Sequence, residues 1–487
     1  MSRRLFGTDG IRAPFGVEPL TAATVRRIGF ALGQELFAAQ TEPKPPLVLL
    51  GGDTRASSPA LVEWMTEGLR VAGARTLDLG TLPTPAVAWA VPRWDGAAGV
   101  VASASHNPAA DNGLKLIDRA GFKWEPEAEA RLEARLADLL EDRTASAAAA
   151  DAQDADGRDR RLGAGTAPGP ADFQPASPVT ARPTDPEVIG RYLRWLIGES
   201  GGRQALAGLR VALDTANGAA SRLAGELFAG LGAEVELLFA HPDGSNINCD
   251  CGSTHPEALA ARLATGDFDL GFAFDGDADR ALLLDERGRL HDGDAMLYLW
   301  ARDLAQRGQL VVPTIVATSM SNFGLERALE ALGVGVLRCD VGDRAVVETL
   351  RDNGLRLGGE QSGHLVDLHC STTGDGLLTA VRIAAIAARA ARAGRTISAE
   401  LAGFRRFPQI LRNVPVERKP PFAELAGVAA AARRVEESLG SQGRLVLRYS
   451  GTEPLARIMI EGPDEASIGE LAGSLADAIQ LEIGAAR

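Results

Sequence analysis

The chain has 487 residues, too many for one ordinary core, so its length predicts three or four domains. Apolar residues make up 45% and charged residues 24%, the balance of a globular protein, and no apolar run approaches the roughly 20 residues of a membrane-spanning helix. The net charge of −13 argues against a generic nucleic-acid binder. It leaves room for a small anionic ligand, because exposed charges are screened beyond about 8 to 10 Å and a local cluster of Arg and Lys decides the matter.

The opening stretch MSRRLFGTDGIR has no apolar segment after Arg3 and Arg4, which predicts no signal peptide and a cytoplasmic protein. The first strand-like run, LVLLGGDTR (47–55), ends in a polar, Gly-rich turn. VAGARTLDLG (71–80) then gives a helix end, a Gly and a strand, and GVVASASHNP (99–108) gives a third strand with a polar tip. From 142 to 185 the chain is rich in Ala, Gly, Pro and Asp with only isolated large apolar residues. That composition predicts a disordered insertion, because too little surface is buried to offset the ordering entropy.

The pattern then repeats. LRVALDTANG (209–218), LFAGLGAEVELLF (227–239) and FDLGFAFDGDADR (268–280) form a second set. QLVVPTIVATSMSNFG (309–324), LEALGVGVLRC (329–339) and LRLGGEQSGH (355–364) form a third. Strands alternating with helices predict α/β layers with mostly parallel pairing, and ligands in such sheets sit outside the carboxyl ends of the strands. The expected architecture is three similar mixed α/β domains (1–188, 189–298 and 299–403) that each aim one polar loop, around Ser105, Asp275 and Glu360, at a common cleft. The last segment differs: RLVLRYSGTEPLARIMIEG (444–462) reads as strand, loop, strand, and an amphipathic helix follows. It predicts a smaller α+β domain over 404–487.

The chemistry is concentrated in these loops. Asp275, Asp277 and Asp279 stand at i, i+2 and i+4, so in an extended loop they point the same way. A hard divalent cation, Mg²⁺ or Ca²⁺, relieves their repulsion. An EF-hand is excluded because Arg280 stands where its Gly is required and no helices flank the loop. An aspartyl-phosphatase motif expects Thr or Val at Asp279. Ser105, in SASHNP, lies in a strand-end turn of small neighbours and suits a phosphoryl carrier, with Lys115 able to offset the charge. In GGEQSGH, Glu360 and Ser362 suit sugar hydroxyls, while His364 is either a functional or a structural histidine. Arg448, Ser450, Thr452 and Arg457 surround Gly451 in RYSGTEPLAR and form a phosphate cradle. The four cysteines are too few for a disulfide framework, and the Cys249-x-Cys251 pair near His255 lacks a second pair to complete a metal site.

Together with FGTDGIR (6–12), INCDCGSTHPE (247–257), MSNFG (320–324), VGDR (341–344), TTGDG (372–376) and FPQ (407–409), these motifs stand in one order along nearly the whole chain. In that order the chain resembles the α-D-phosphohexomutase superfamily. FGTDGIR, MSNFG and SGTEP tilt it toward the glucosamine branch over phosphomannomutase or phosphoglucomutase. The resemblance implies that Ser105 is a phosphoserine nucleophile and donor whose oxygen, with Asp275, Asp277 and Asp279, ligates one Mg²⁺. It implies that Arg12 and Lys115 surround the moving phosphoryl group and that Arg280 assists beside the metal loop. His364 is implied as a proton-transfer or substrate residue, and Glu360 and Ser362 as holding sugar hydroxyls. Arg448, Ser450, Gly451, Thr452 and Arg457 are implied to grip the distal phosphate. The implied reaction interconverts glucosamine 6-phosphate and glucosamine 1-phosphate through a bisphosphate, with glucosamine or glucose 1,6-bisphosphate as activator. It feeds UDP-N-acetylglucosamine and cell-wall precursor synthesis. A homodimer with a mobile last domain is implied too, acting on a phosphosugar without nucleic acid or membrane. The alternative of a different class, a non-catalytic sugar-phosphate-binding regulator, predicts loss of Ser105 or an aspartate; neither is lost. Two departures stand out. Ala278 replaces a Gly and, contributing no ligand, is expected to change little; Tyr449 replaces a Pro or Ala beside the cradle.

Overall fold

The computed structural model describes residues 5–7, 9–40, 44–150, 185–450 and 453–484, with the backbone alone over 140–150. The chain forms two compact units, one of Met1–Ser319 with Leu337–Glu400 and one of Met320–Val336 with Leu401–Arg487.

The first unit is organised by sheets whose central strands are short apolar runs. Leu47–Gly52, Ala98–Ala102, Leu270–Phe274 and Ala281–Asp285 are buried along almost their entire length. Such runs carry no polar face and are stable only when both faces are covered. Helices supply the cover. Ala22–Ala38 and Ser58–Val71 pack together against the first sheet, and their side chains Val25, Ile28, Leu61 and Met65 share its core with Val48, Leu50 and Val100.

The three sheets share one plan. The first runs, edge to edge, Ile11–Pro14, Asp111–Ile117, Ala98–Ala102, Leu47–Gly52, Arg75–Thr81. The second runs Leu290–His291, Ala281–Asp285, Leu270–Phe274, Arg210–Asp214, Glu234–Leu238, and the third runs Leu365–Asp367, Leu357–Gly359, Thr314–Thr318, Gly335–Cys339. Each therefore lays a fourth strand antiparallel beside a third, and that third strand parallel to a first. The sequence predicts three strands per repeat; the structure adds the antiparallel fourth. It turns each polar loop into the link between two hydrogen-bonded neighbours, which fixes both ends of the loop.

The helix Pro126–Ala150 continues through residues 142–150, where the sequence predicted the start of an insertion. The run Ala-Ser-Ala-Ala-Ala-Ala explains the difference, since Ala has the strongest helix propensity. The rest of the expected insertion, 151–184, lies outside the described residues.

In the second unit, Gln409–Pro415, Leu455–Glu461 and Arg444–Tyr449 form an antiparallel sheet with the strand Leu455–Glu461 in the middle. Helices Ala426–Leu439 and Glu465–Ile483 bury Val428, Val435, Ile468 and Leu475 against Ile458 and Ile460. Residues 320–336, read from the sequence as part of the third repeat, pack here. Asn322 is the reason: its Nδ2 donates to Glu461 Oε1 at 3.0 Å and Phe407 O at 3.1 Å, while its Oδ1 accepts from Phe407 N at 2.8 Å. The MSNFG and FPQ motifs thus meet in one structural knot.

A buried polar pair ties the helix Pro186–Glu199 to the helix Gly376–Arg392. Tyr192 Oη donates to Asp375 Oδ2 at 2.6 Å, and Asp375 Oδ1 caps the second helix through Leu378 N at 2.9 Å. Burial pushes the Asp375 carboxyl up to about 6 from the ordinary 3.8, against the pull of Tyr192 and the helix N–H groups. Between those values the native state binds the extra proton, so this group's contribution to stability falls as pH rises through the window and stays lost above it. Tyr192→Phe removes a donor that favours the ionised form. Urea denaturation should show a loss of about 1–3 kcal/mol near pH 8. The loss should be smaller near pH 5, where the carboxyl is protonated with or without the phenol.

Candidate active site

The loops that join third to fourth strands converge in the first unit. Ser105 follows the strand Ala98–Ala102, is 2% exposed, and has φ of +50°. Its N–H donates to Ser103 Oγ at 2.9 Å, and Ser103 Oγ donates in turn to Asp53 Oδ2 at 2.7 Å. Ser105 Oγ donates to Asp275 Oδ2 at 2.6 Å and lies 3.4 Å from His106 Nδ1. The serine of the first repeat thus touches the metal-type loop of the second.

Asp275, Asp277 and Asp279 link Leu270–Phe274 to Ala281–Asp285, a pair closed by Phe274 opposite Ala281. All three are buried, and one ligand oxygen from each lies within 4.8 Å of the others. They form the one cluster among the described residues with this geometry. Asp277 Oδ1 and Asp279 Oδ1 are buried without a hydrogen-bond partner, which leaves acceptor capacity that no protein hydrogen bond takes up. Burial, then the charges of Asp279 and Asp277, drive the Asp275 carboxyl well above the ordinary range. Burial also disfavours charge on Asp279, but Lys115, then His364 and Arg280, outweigh it and hold that carboxyl well below the ordinary range. Neighbouring carboxylates with opposed shifts are the signature of crowded like charge. The donor set, three hard oxygens with unmet acceptor capacity, fits Mg²⁺.

Ala278 occupies the left-handed region at φ +53° in the middle of this loop. An L-residue with a side chain pays about 1 kcal/mol there, so the Ala has a cost that its lack of a ligand atom did not suggest.

Lys115 is 2% exposed and reaches Asp277 Oδ2 at 2.8 Å, Asp9 Oδ2 at 3.2 Å and Asp279 Oδ2 at 3.3 Å. Burial opposes its charge, but Asp277, Asp9 and Asp279 hold it protonated well above the ordinary lysine range. Arg12, on the strand beside Lys115's own, donates to Asp9 Oδ2 at 2.6 Å and keeps Nη1 buried without a partner. Arg280 Nε lies 3.7 Å from Asp279 Oδ1, and its backbone N–H donates to Asp275 Oδ1 at 3.2 Å.

The third repeat closes one side. A cleft of about 410 Å³ is lined by Asp9, Asp279, Arg280, Asp343, Glu360 and His364, among others. Glu360 Oε1 accepts from Gly342 N at 3.0 Å, which leaves Oε2 for a hydroxyl in the cleft. Ser362 Oγ is buried without a partner and does not line that cleft. His364 is 1% exposed; its Nε2 accepts from Gly374 N at 3.0 Å, which puts the ring proton on Nδ1, 3.8 Å from Asp279 Oδ2. Burial disfavours its charge, but Asp279, Asp343 and Glu360 raise its pKa. Nε2 is thus engaged by the backbone, while Nδ1 stays within ion-pair range of Asp279, and a Cβ on Gly374 would stand 2.5 Å from the ring.

The sequence singled out neither Thr84, whose Oγ1 donates to Asp277 Oδ2 at 2.5 Å, nor Asp9, which bridges Lys115 and Lys123. Lys123 also donates to Asp343. Asp9 and Asp343 stand inside FGTDGIR and VGDR, which marked the stretches but not these roles, whereas Thr84 and Lys123 lie in no such motif.

The cradle stands in the second unit. Arg448 and Arg457 are direct cross-strand partners, an arrangement of like charges that an anion relieves. Arg457 Nη2 bonds Glu453 Oε2 at 2.6 Å and lies 3.4 Å from Ser450 Oγ; Lys419 Nζ donates to Ser450 O at 2.6 Å. Tyr449 stacks on Phe422 with centroids 4.1 Å apart and donates to Pro420 O at 2.7 Å, so it anchors the lysine-bearing segment. Gly451 and Thr452 lie outside the described residues.

Comparison with known proteins agrees along the whole chain. Residues 3–143, 192–288, 292–407 and 411–478 match domains I, II, III and the C-terminal domain of phosphoglucomutase/phosphomannomutase. A phosphoglucosamine mutase of Solibacter usitatus is 41% identical over 99% of this chain and 100% of its own, and one of Anaeromyxobacter dehalogenans has the same identity and shares. Among solved structures, a phosphoglucomutase/phosphomannomutase family protein of Burkholderia thailandensis is 25% identical with a TM-score of 0.73, covering 99% of this chain and 98% of that one. N-acetylphosphoglucosamine mutase of Aspergillus fumigatus, solved in complex with GlcNAc-6P and magnesium, shares the fold at 19% identity and a TM-score of 0.59, over 98% of this chain and 96% of that one. With four domain matches in order and relatives matched end to end, the chain belongs to the phosphoglucomutase/phosphomannomutase family, in its phosphoglucosamine mutase branch.

Proposed function

We propose that the protein interconverts glucosamine 6-phosphate and glucosamine 1-phosphate, with Ser105 as the phosphoryl carrier. The observation that carries this reading is Ser105 Oγ at 2.6 Å from Asp275 Oδ2, beside two further buried carboxylates with unpartnered oxygens. The phosphoglucosamine mutases it matches along their whole length name the sugar.

Asp275, Asp277, Asp279 and the Ser105 oxygen would hold the Mg²⁺ seen in the fungal structure. When bound, the ion supplies positive charge at the oxygens of the group being transferred. The chain's own residues do the rest. In the first half-reaction the bond from Ser105 Oγ to phosphorus breaks as one forms to a free sugar hydroxyl. The hydroxyl proton is released and Ser105 Oγ takes one up. The product is a 1,6-bisphosphate and an unmodified serine, the form in which Oγ donates to Asp275. In the second half the bisphosphate presents its other phosphate, whose bond to the sugar breaks as phosphoserine re-forms and the sugar oxygen is protonated. Lys115, held charged, and the free Nη1 of Arg12 stand ready to neutralise the group in transit. Glu360 orients sugar hydroxyls, and His364, which lines the same cleft, stands beside it as a proton-transfer or substrate residue. Arg448, Ser450 and Arg457, with Gly451 and Thr452, hold the phosphate that is not transferred. Glucosamine or glucose 1,6-bisphosphate would prime enzyme that has lost its phosphoryl group, and the product would enter UDP-N-acetylglucosamine synthesis.

Ser105→Ala should lower turnover by on the order of 10³-fold or more while the unfolding midpoint is retained. Intact mass should show one phosphoryl group, about 80 Da, on the wild type and none on the variant. Full activity in the variant refutes the carrier. Chelation should abolish wild-type turnover and Mg²⁺ should restore it, whereas Asp277→Asn should not be restored at the same concentration. Among glucosamine 6-phosphate, glucose 1-phosphate and mannose 1-phosphate, the amino sugar should show the highest kcat/KM; preference for either hexose overturns the substrate assignment.

A further inference from the structure

We infer that Asn248 and Arg55, from two different repeats, clamp the nucleophile loop at the same two carbonyls, and that Asn248 is the positioning residue that registers Ser105 against Asp275. The inference rests on Ser105 being the phosphoryl carrier.

The loop needs holding. Ser105 sits in the left-handed region, and its carbonyl and that of Asn107 each accept from protein donors. Buried carbonyls need donors, and left-handed non-glycine residues persist only where the surroundings enforce them. Arg55 provides one half of the clamp. It is 1% exposed, and its Nη2 donates to Ser105 O at 3.1 Å and Asn107 O at 2.8 Å, while Nη1 donates to Pro108 O. Its Nε donates to Asp53 Oδ2 at 3.0 Å, the oxygen that also takes the Ser103 hydroxyl. Arg55 therefore ties the loop to its own sheet.

Asn248 provides the other half, and it comes from the second repeat. Its Nδ2 donates to the same two carbonyls, Ser105 O at 2.8 Å and Asn107 O at 2.9 Å. Its backbone, at φ +57°, is anchored by N–H donation to Ala216 O at 2.9 Å. The turn that holds Ala216 also holds the metal-type loop, because Ala219 N donates to Gly276 O at 2.8 Å. Gly276 lies against the clamp: a Cβ there would stand 2.7 Å from Ser105 O and 2.8 Å from Asn248 Nδ2. One rigid piece of the second repeat thus grips the carbonyl of Ser105 and carries Asp275. The INCDCGSTHPE motif, which has no ligand or substrate role in the reading above, acquires a task.

Asn248→Ala leaves both carbonyls bonded to Arg55, so the loop stays folded but is free to shift. Displacement of about 1 Å at a reacting centre costs on the order of 10²-fold. The experiment uses the full chain, phosphorylated by glucose 1,6-bisphosphate, with single-turnover transfer to glucosamine 6-phosphate followed by rapid quench. Transfer in Asn248→Ala should fall about 10- to 100-fold, with KM within about threefold, in a variant that still unfolds in a single urea transition at a somewhat lower midpoint, since Ala replaces Asn in the left-handed region. Asn248→Ser, which keeps one donor, should recover part of the rate. Transfer within about twofold of wild type, or a rise in KM with kcat unchanged, overturns the clamp. If the Ala variant does not fold, the Ser variant decides by the same criteria. Wild type that takes no phosphoryl group on Ser105 removes the carrier and the clamp together; phosphorylated wild type with an unimpaired variant removes the clamp alone.

Discussion

Three carboxylates within five residues, all removed from solvent, must be reconciled with one another. Two unit charges about 5 Å apart repel by roughly 3 kcal/mol at an effective dielectric near 20. The chain meets this with Lys115, Arg280 and the hydroxyl of Thr84, and then stops short: two carboxylate oxygens accept no hydrogen bond. Supplying more cations would have satisfied the cluster internally and left no place for an ion. Asp9 takes part in the same balance, since it shares Lys115 with Asp277 and Asp279 and draws on Arg12 and Lys123 as well. Lys115 is therefore held by buried Asp277 and Asp279 rather than left free to swing, and its position is fixed before any ligand arrives.

Holding such a cluster requires rigid supports, and the repeated sheet supplies them. In each repeat the polar loop spans a third strand and its antiparallel neighbour, so both ends are pinned by ladder hydrogen bonds. Three loops built in this way contribute three kinds of group: a hydroxyl from the first, carboxylates from the second, a carboxylate and an imidazole from the third. The backbone strain follows the chemistry. Ser105, Asn248 and Ala278 all occupy the left-handed region, and each is fixed by neighbours from another part of the chain. The second unit, by contrast, presents its paired arginines on an antiparallel sheet with a separate core, and needs nothing from the cluster to fold its own strands.

The sequence by itself determined the three repeats, the chemical kind of each loop and the paired arginines of the last segment. Those features are local: apolar runs of strand length, polar residues at their ends, and carboxylates at alternate positions are written in consecutive residues. The helix extending to Ala150 was local too, but its alanines were outweighed by the disorder-like composition that follows them. The tertiary structure alone decided which groups meet. That Lys115 faces three aspartates, that His364 lies beside Asp279, and that Asn248 and Arg55 share two carbonyls depends on contacts over tens to hundreds of residues. No spacing encodes those contacts, because the requirement they satisfy, a partner for every buried charge and carbonyl, exists only once folding has excluded water.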